Sequence, residues 1–281
     1  MNESYKMRYI LITGASSGIG RTTTEFLAQN GFHVYAGARK EEDIKSLSQI
    51  PNVTPLKLDV TKNNEIENAF SLIKTSNTGL FAVINNAGID VLGPLVDFNI
   101  EAFKVQLDVN LLGVHRIITK FFPLILKSEG RIINISSGMG LASVPFSGLY
   151  CASKAGLEAY TDSLRRELML INRQIKVIII EPGIVKTSIW KKDYPKDIES
   201  SLFHESYLKW QKINVSPYES NKKSLNPDVI ARKIHIALMK KRPKLRYLVT
   251  EKNFLYRILL VAPEKLKDWA LRLVISKQKI N

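Results

Sequence analysis

A tyrosine and a lysine are spaced for proton transfer in the segment Tyr150-Cys151-Ala152-Ser153-Lys154. Residues four apart on a helix lie on the same face, so the Tyr150 phenol and the Lys154 ammonium are predicted to be neighbours. A free tyrosine ionises with a pKa of ~10, and a nearby positive charge favours the phenolate. We therefore expect Lys154 to lower the pKa of Tyr150, so that the phenol exchanges a proton with a carbonyl oxygen or an alcohol.

A glycine-rich segment follows the first predicted strand. Arg8–Thr13 is short, apolar and rich in branched residues, and Gly14-Ala15-Ser16-Ser17-Gly18-Ile19-Gly20 comes directly after it. Residues 21–29 then continue with helical spacing. Strand, glycine turn and helix in this order predict a dinucleotide-binding turn, because the glycines let the backbone approach a pyrophosphate at the helix N-terminus. An ordinary glycine-rich loop is the alternative.

The second predicted strand, His33–Ala38, ends beside Arg39. At this position of a dinucleotide fold an acidic residue selects NAD, whereas an arginine accommodates the 2′-phosphate of NADP. Glu41 and Glu42 follow closely, but acidic residues are also favoured at the start of a helix. The sequence therefore predicts a preference for NADP(H) over NAD(H).

Motifs along most of the chain resemble, in order and spacing, those of the short-chain dehydrogenase/reductase family. The match runs from Arg8 to Thr187 and comprises Thr13–Gly20, Asp59-Val60, Asn85-Asn86-Ala87-Gly88, Asn110 in Asp108-Val109-Asn110-Leu111, Ser137 after Asn134-Ile135-Ser136, Tyr150 with Lys154, and Pro182-Gly183-Ile184-Val185-Lys186-Thr187. Each motif alone has an ordinary structural interpretation, and their joint occurrence supports the resemblance.

The resemblance implies an oxidoreductase that transfers hydride between a nicotinamide and a carbonyl or carbinol carbon. It assigns four catalytic residues in this sequence, Asn110, Ser137, Tyr150 and Lys154. Tyr150 would be the general acid or base, and Lys154 would lower its pKa and hold the nicotinamide ribose. Ser137 would hydrogen-bond the substrate oxygen, and Asn110 would hold a water that links Lys154 to solvent.

The resemblance also implies which residues bind the cofactor. They are Gly14, Ser16, Ser17, Gly18, Ile19, Gly20, Arg39, Asp59, Val60, Asn86, Ala87, Gly88, Tyr150, Lys154, Pro182, Gly183, Val185 and Thr187. The histidines are scattered without ligand spacing, so no metal site is predicted. Cys151 is expected to be a small buried thiol.

Alternating strands and helices predict an α/β fold, a single Rossmann-type doubly wound parallel sheet of about seven strands with helices on both faces and a C-terminal helical extension. The predicted strands are Arg8–Thr13, His33–Ala38, Thr54–Leu58, Leu80–Asn85, Arg131–Ser136, Ile175–Glu181 and Arg246–Val249. No linker or repeat divides the 281 residues, so we expect one domain. Residues 1–187 form a cofactor and catalytic core, and residues 188–226 form a substrate-covering insertion. Residues 227–281 contain a C-terminal helix, the last strand and a basic amphipathic tail.

Positive charge is concentrated towards the C-terminus. The chain carries +15, and residues 222–281 hold sixteen Lys/Arg against four Asp/Glu. Leu266, Trp269 and Leu273 have helical spacing, with Lys265 and Arg272 on another face. This pattern is typical of a basic amphipathic helix on an anionic membrane surface. The alternatives are a helix packed on its own domain or on a partner subunit, and a charge that steers an anionic substrate.

Aromatic and apolar residues are frequent where the substrate is expected. The insertion contains Ile189, Trp190, Tyr194, Leu202, Phe203, Tyr207, Leu208 and Trp210, and Leu141, Val144, Pro145, Phe146 and Leu149 precede Tyr150. Such a lining favours a lipophilic ketone or alcohol, and the chain resembles the retinol and hydroxysteroid dehydrogenase-like members of the family, which act on retinoids, steroids or long-chain ketones. These side chains are alternatively part of the domain core or of an oligomer interface.

Two other functions remain open from the sequence. A 3-oxoacyl or acyl-dihydroxyacetone-phosphate reductase is suggested by the basic tail, and a nucleotide-sensing scaffold would retain the fold without turnover. Relatives imply a homo-oligomer, a dimer or tetramer. The single cysteine, the polar N-terminus and the lack of an apolar run of ~20 residues predict a cytoplasmic protein, peripheral on a membrane at most. No nucleic-acid-binding module accompanies the charge.

Overall fold

Seven parallel strands form one sheet in the order β3-β2-β1-β4-β5-β6-β7. The computed structural model describes residues 7–171, 174–187, 198–214, 224–251, 258 and 260–276. The strands are β1 Arg8–Ile12, β2 Phe32–Ala38, β3 Val53–Lys57, β4 Ala82–Asn85, β5 Arg131–Ile135, β6 Lys176–Pro182 and β7 Arg246–Val249. This strand order confirms the predicted doubly wound α/β fold. The strands were predictable because strands buried on both faces of a parallel sheet are continuous apolar runs.

Helices cover both faces of this sheet. They are α1 Gly18–Gln29, α2 Glu41–Leu47, α3 Asn63–Thr75, α4 Ile100–Leu107, α5 Gly113–Lys127, α6 Gly148–Ile171, α7 His204–Asn214, α8 Pro227–Met239 and α9 Glu264–Ser276. Apolar side chains of α1, α2 and α8 pack on one face of the sheet, and those of α3, α5 and α6 pack on the other. The core therefore consists of two layers separated by the sheet.

The strand order reverses between β1 and β4, which pair with each other at the centre of the sheet. In open α/β sheets a ligand binds in the crevice beyond the carboxyl ends of the strands at such a reversal. The segments that follow β1, β4, β5 and β6 are the predicted motifs of the sequence. The topology thus brings residues from distant parts of the chain to one edge of the sheet.

One long helical segment runs from Ile100 to Lys127 and includes a π-helical turn, Asp108–Leu112, between α4 and α5. Within the described residues it is the one helix long and apolar enough to cross a membrane, whereas the sequence predicted none. Val114, Ile117 and Phe121 on this segment are buried against the sheet, as in a core helix.

The predicted insertion leaves and re-enters the domain at one point. Val185 forms an isolated parallel bridge with Leu225, and the Lys186 N–H donates to the Leu225 carbonyl at 3.0 Å. Between them the structure describes a 3₁₀ turn, Ile198–Ser200, and α7, which contacts α9. Three of the residues predicted to line the substrate site, Ile189, Trp190 and Tyr194, lie outside the described residues, as do tail residues 252–257.

Candidate active site

The first turns of α6 carry Tyr150 and Lys154 to the carboxyl end of β5. Both side chains are buried, and the Lys154 Nζ donates a hydrogen bond of 2.8 Å to the carbonyl of Ile135, the last residue of β5. The Nζ atom lies 5.6 Å from the centroid of the Tyr150 ring. The predicted neighbourhood of phenol and ammonium is therefore present, and a backbone carbonyl holds the amine in place.

Burial dominates the electrostatics of this pair. It raises the pKa of the Tyr150 phenol, and the nearby Asp90 carboxylate raises it further, whereas a hydrogen bond from Ser137 opposes the rise. Burial also lowers the pKa of Lys154 to about 8, while Glu158 and Asp90 favour its charged form. The sequence predicted a lowered tyrosine pKa, and this direction is wrong: removal of the phenol from water is the largest cause of the shift and raises the pKa. Without ligands, Tyr150 is therefore protonated at neutral pH.

Ser137 begins the turn that follows β5. Its Oγ accepts a hydrogen bond of 3.1 Å from the Met139 N–H and so caps the 3₁₀ turn Gly138–Gly140. The same hydroxyl is within hydrogen-bonding reach of the Tyr150 side chain. The hydroxyl groups of Ser137, after β5, and Tyr150, on α6, are therefore neighbours at the carboxyl end of the sheet.

Asn110 lies in the π-helical turn, and its buried amide is bonded to two elements. Its Oδ1 accepts from the Ile89 N–H at 2.9 Å, and its Nδ2 donates to the Ile89 carbonyl at 2.9 Å and to Ser153 Oγ at 3.0 Å. A methyl group on Gly88 would lie 3.5 Å from Asn110 Oδ1 and 3.7 Å from Lys154 Nζ. These two polar atoms therefore flank the same small space beside Gly88.

The glycine-rich turn after β1 is held against the segment after β4. The Thr13 hydroxyl accepts hydrogen bonds of 3.1 Å from the backbone N–H groups of Asn86 and Ala87, and Asn86 Nδ2 donates to the Gly14 carbonyl at 2.9 Å. Gly14 has a φ of +65°, and a Cβ there would lie 2.8 Å from the Ala87 Cα. Only glycine tolerates both this conformation and this close approach.

A single cavity of about 280 Å³ extends from this turn to Tyr150. All residues predicted for cofactor binding except Gly20 line it, and so do Ser137 and the residues Gly37, Ala38, Leu58, Ile89, Val109, Ile135 and Ser136. Gly20 lies behind the turn, where a Cβ would overlap the Gly14 carbonyl oxygen. The sequence did not predict Ile89 or Val109 as wall residues, although each adjoins a predicted motif. Backbone amides of a glycine turn and a helix N-terminus fit the phosphates of a dinucleotide.

Arg39 is exposed at the far end of this cavity. The two nearby glutamates are paired elsewhere: Glu41 with Lys57 at 2.5 Å and Glu42 with Lys40 at 3.2 Å. Both lie in the first turn of α2, where the helix dipole favours acidic residues. Arg39 therefore lines the cavity with no acidic partner in the part of the chain that the structure describes.

An aromatic cluster lies on the Tyr150 side of the fold. Phe146, four residues before Tyr150, contacts Tyr207 and Trp210 of α7 with ring centroids 5.2 Å and 6.3 Å apart. Tyr207 and Trp210 are buried, so α7 docks through them. Leu202 is 94% exposed and does not line a pocket as predicted, since it lies in the turn before α7.

Comparisons with known proteins agree with this geometry. The family of short chain dehydrogenases matches residues 8–197. A 3-amino-tetrahydro-pyrrolizinone reductase of Xenorhabdus hominickii is 34% identical over 274 residues, 92% of this chain and 93% of that protein. Retinol dehydrogenase 7 of Rattus norvegicus is 37% identical over 222 residues, covering 72% and 69% of the two chains.

The fold also matches a solved structure. A short chain dehydrogenase of Burkholderia cenocepacia, determined in complex with NADP, superposes with a TM-score of 0.74 at 22% identity, covering 95% of this chain and 98% of that one. The chain belongs to the short-chain dehydrogenase family, similar to its retinol dehydrogenase-like members, and is an NAD(P)-dependent oxidoreductase acting on CH–OH groups.

Proposed function

We propose that this protein is an NADP(H)-dependent reductase of lipophilic carbonyl compounds in which Tyr150 donates the proton. The supporting observation is the geometry of the site: Tyr150, Ser137 and Lys154 line the cofactor cavity together, with the Tyr150 phenol within hydrogen-bonding reach of Ser137 and its ring 5.6 Å from the Lys154 Nζ. A bound nicotinamide supplies the hydride to the carbonyl carbon. The phenolic proton moves to the carbonyl oxygen, so the product is an alcohol, and the reverse sequence oxidises an alcohol.

The other three residues assist this proton transfer. Ser137 donates a hydrogen bond to the substrate oxygen, where negative charge develops. Lys154 stabilises the phenolate left behind and holds the ribose. Asn110 and Lys154 together bind a water in the space beside Gly88, and this water returns a proton from solvent.

Replacement of Tyr150 tests the proton-transfer role. Tyr150→Phe should lower kcat by about 10²–10⁴-fold, because general acid catalysis contributes that much, with little change in the Kd for NADPH. The measurement is NADPH oxidation with a panel of retinals, ketosteroids, 3-oxoacyl thioesters and acyl dihydroxyacetone phosphates. Tyr160→Phe on the same helix is the control, because Tyr160 bonds His115 on the outer side. Wild-type turnover in Tyr150→Phe would reject the assignment.

The same panel separates the substrate classes. The aromatic contacts of Phe146 with Tyr207 and Trp210 hold α7 next to the segment that precedes Tyr150, and we assign residues 188–226 to covering an apolar substrate there. Turnover confined to 3-oxoacyl thioesters or acyl dihydroxyacetone phosphates would favour the alternative reductase.

Arg39 supports the preference for NADP(H). A guanidinium at the end of the second strand binds the 2′-phosphate through charge-assisted hydrogen bonds. Arg39→Asp should raise the Kd for NADPH by about tenfold or more, since hydrogen bonds to charged groups contribute ~1.5–3 kcal/mol, and should change the Kd for NADH little. Lys40→Ser is the control, because Lys40 is an exposed neighbour paired with Glu42. Fluorescence titration with both cofactors measures this, and an equal loss for both would contradict the preference.

The exposed face of α9 supports a peripheral membrane location for a cytoplasmic protein. Leu266, Trp269 and Leu273 are 51%, 58% and 39% exposed on this helix. Lys265 and Arg272 are basic residues of the same helix, and the C-terminal part carries most of the net positive charge. Apolar residues with basic neighbours bind anionic lipid surfaces. Since α9 contacts α7, such binding would place the substrate side of the fold near the bilayer.

Vesicle binding tests this location. Trp269→Glu should reduce co-sedimentation with vesicles of phosphatidylcholine and phosphatidylglycerol, because a charge replaces an apolar contact. Leu72→Glu, at an exposed apolar position on α3, is the control and should bind as the wild type does. If Trp269→Glu binds vesicles as the wild type does, the membrane proposal is rejected. The exposed face of α9 would then be assigned to packing on a partner subunit.

A homo-oligomer is supported by a second exposed apolar face. Ile100, Val105 and Leu112 are exposed along the helical segment that contains Asn110. Light scattering of Val105→Glu should show a smaller assembly than the wild type. An unchanged mass would exclude this face.

A further inference from the structure

Charged side chains from three elements meet beside α6, one helical turn beyond Lys154. The Arg246 guanidinium, from β7, contacts Glu158 and Asp162 of α6 and Glu181 of β6. Its Nε and Nη2 donate to Glu181 Oε1 at 3.0 Å and 2.6 Å, and its Nη1 lies 3.4 Å from Asp162 Oδ1. One guanidinium therefore serves three carboxylates, two of which, Glu158 and Glu181, are buried.

Burial and the neighbouring Glu181 carboxylate make Glu158 hard to ionise. The pKa of Glu158 is raised to about 7, chiefly by burial and also by Glu181, while Ser136 and Arg246 oppose the rise. Arg246 is thus one of the groups that favour the ionised form of Glu158, which predominates above about pH 7. A charge at this position is costly for the fold alone, which suggests a role beyond packing.

The Lys154 amine is a buried cation on the same face of α6. Glu158 follows Lys154 by four residues, so their side chains lie on one face of the helix. The pKa of Lys154 is lowered to about 8, chiefly by burial, and Glu158 is the strongest of the groups that favour its charged form, ahead of Asp90. Asp90 differs from Glu158 because it also raises the pKa of Tyr150.

We propose that Glu158 is a positioning residue for the reaction: its carboxylate, held charged by Arg246, keeps the buried Lys154 amine protonated. The inference rests on the proposed proton transfer by Tyr150 and extends it to a second layer of residues. Charge on Lys154 then depends on a contact with β7, a strand that follows the insertion in the chain.

The charged and titratable groups around this pair come from every neighbouring element. Tyr150, Cys151 and Asp162 lie on α6, Glu181 on β6, Arg246 on β7, and Asp90 follows β4. Of these, Asp90 and Glu158 act directly on Lys154. Neutralising Glu158 therefore leaves one carboxylate to stabilise the ammonium.

The pH dependence of turnover tests the proposal. Loss of the Lys154 proton should set the alkaline limb of kcat for carbonyl reduction. Glu158→Gln should move this limb to lower pH by about 0.5–1 unit, because an opposite charge at short range shifts a pKa by that order or more. Glu158→Asp restores a carboxylate and should recover at least half of the shift.

Asp162→Asn is the matched control. Asp162 is another α6 carboxylate of Arg246, one turn further from Lys154, so its neutralisation should leave the limb in place. A fall in kcat for Glu158→Gln without movement of the limb, or an equal movement in Asp162→Asn, would overturn the proposal.

A binding measurement separates this inference from the proposed function. Because Lys154 lines the cofactor cavity, NADPH affinity should weaken as Lys154 loses its proton, and Glu158→Gln should shift that midpoint to lower pH. If the midpoint shifts but no carbonyl compound is turned over, the proposed reaction is rejected, while the effect of Glu158 on the charge of Lys154 is retained. A midpoint identical in wild type and Glu158→Gln would reject the Glu158 role.

Discussion

Burial, reinforced by the Asp90 carboxylate, raises the pKa of the Tyr150 phenol, while the hydrogen bond with Ser137 opposes the rise. A phenol with a raised pKa is a weaker acid, so under the proposed mechanism the proton leaves Tyr150 only as negative charge develops on the substrate oxygen. The group that titrates near neutrality is Lys154, with its pKa lowered to about 8. The proposed mechanism therefore gives the two members of the pair different tasks, proton donation for Tyr150 and positive charge for Lys154.

Gly88→Ala tests the water proposed between Asn110 and Lys154. The added methyl would lie 3.5 Å from Asn110 Oδ1 and 3.7 Å from Lys154 Nζ, ordinary contact distances that the fold accepts. It would occupy the space of the water, so kcat should fall by about tenfold or more. Thermal unfolding should change little, and NADPH titration separates a loss of cofactor affinity from the loss of proton transfer, because Gly88 also lines the cofactor cavity. Steady-state kinetics and NADPH titration measure the effect, and an unchanged kcat would show that no proton passes this point.

At the scale of elements, close contact between the glycine turn and the segment after β4 shapes the cofactor cavity. Gly14 and Gly18 both have positive φ, and Gly18 lies against the Thr187 side chain. The turn is thereby fixed to the ends of both β4 and β6. A rigid turn presents its backbone amides without further loss of conformational entropy on binding.

Gly20→Ala should disrupt this contact. Its Cβ would overlap the Gly14 carbonyl oxygen and the Asn86 side chain, so the free energy of unfolding should fall by about 1–3 kcal/mol, with loss of NADPH affinity. Gly156→Ala is the control: its Cβ would lie 3.1 Å from the Leu111 Cδ2, the end of a flexible side chain. The better helix propensity of alanine, ~1 kcal/mol, offsets that contact. Urea unfolding measures both variants, and equal stabilities would show that the turn relaxes.

Elements with a local signal were predictable from the sequence, and those that need tertiary contacts were not. The buried strand predicted at Ile175–Glu181 is observed at Lys176–Pro182, because its apolar run is unbroken. The π-helical turn at Asp108–Leu112 has no local signature, since it is accompanied by bonds from Asn110 to Ile89 across a loop. The pKa of Tyr150 was mispredicted because burial cannot be read from the spacing of two residues.

For the whole molecule, the ion cluster of Arg246 connects stability to pH. The acidic partners of Arg246 are 65–88 residues distant along the chain, so no local sequence pattern predicts this cluster. The pKa of Glu158 is raised from 4.5 to about 7 in the folded state. The stability that this group contributes is complete below its unfolded pKa and is lost as pH rises through about 7.

Glu158→Gln should therefore gain stability relative to the wild type as pH rises from about 5 to 8. The glutamine has no proton to lose, while the wild type must ionise a buried carboxyl. Differential scanning fluorimetry at both pH values measures the difference in Tm. Glu167→Gln, an exposed position on the same helix, should show no such trend. A pH-independent difference for Glu158→Gln would mean that the carboxyl is already ionised at pH 5.

The bridge between Val185 and Leu225 has a consequence for how this enzyme type diversifies. Two backbone hydrogen bonds, of 3.0 Å and 2.9 Å, join Leu225 to Lys186 and Ile184, so both ends of the intervening stretch are clamped side by side. We therefore expect that a segment of different length or composition can replace the one between Val185 and Leu225 without a change in the shape of the nucleotide crevice. Under the proposal that residues 188–226 cover the substrate, exchange of this one contiguous segment should change the substrate range and leave nucleotide binding intact.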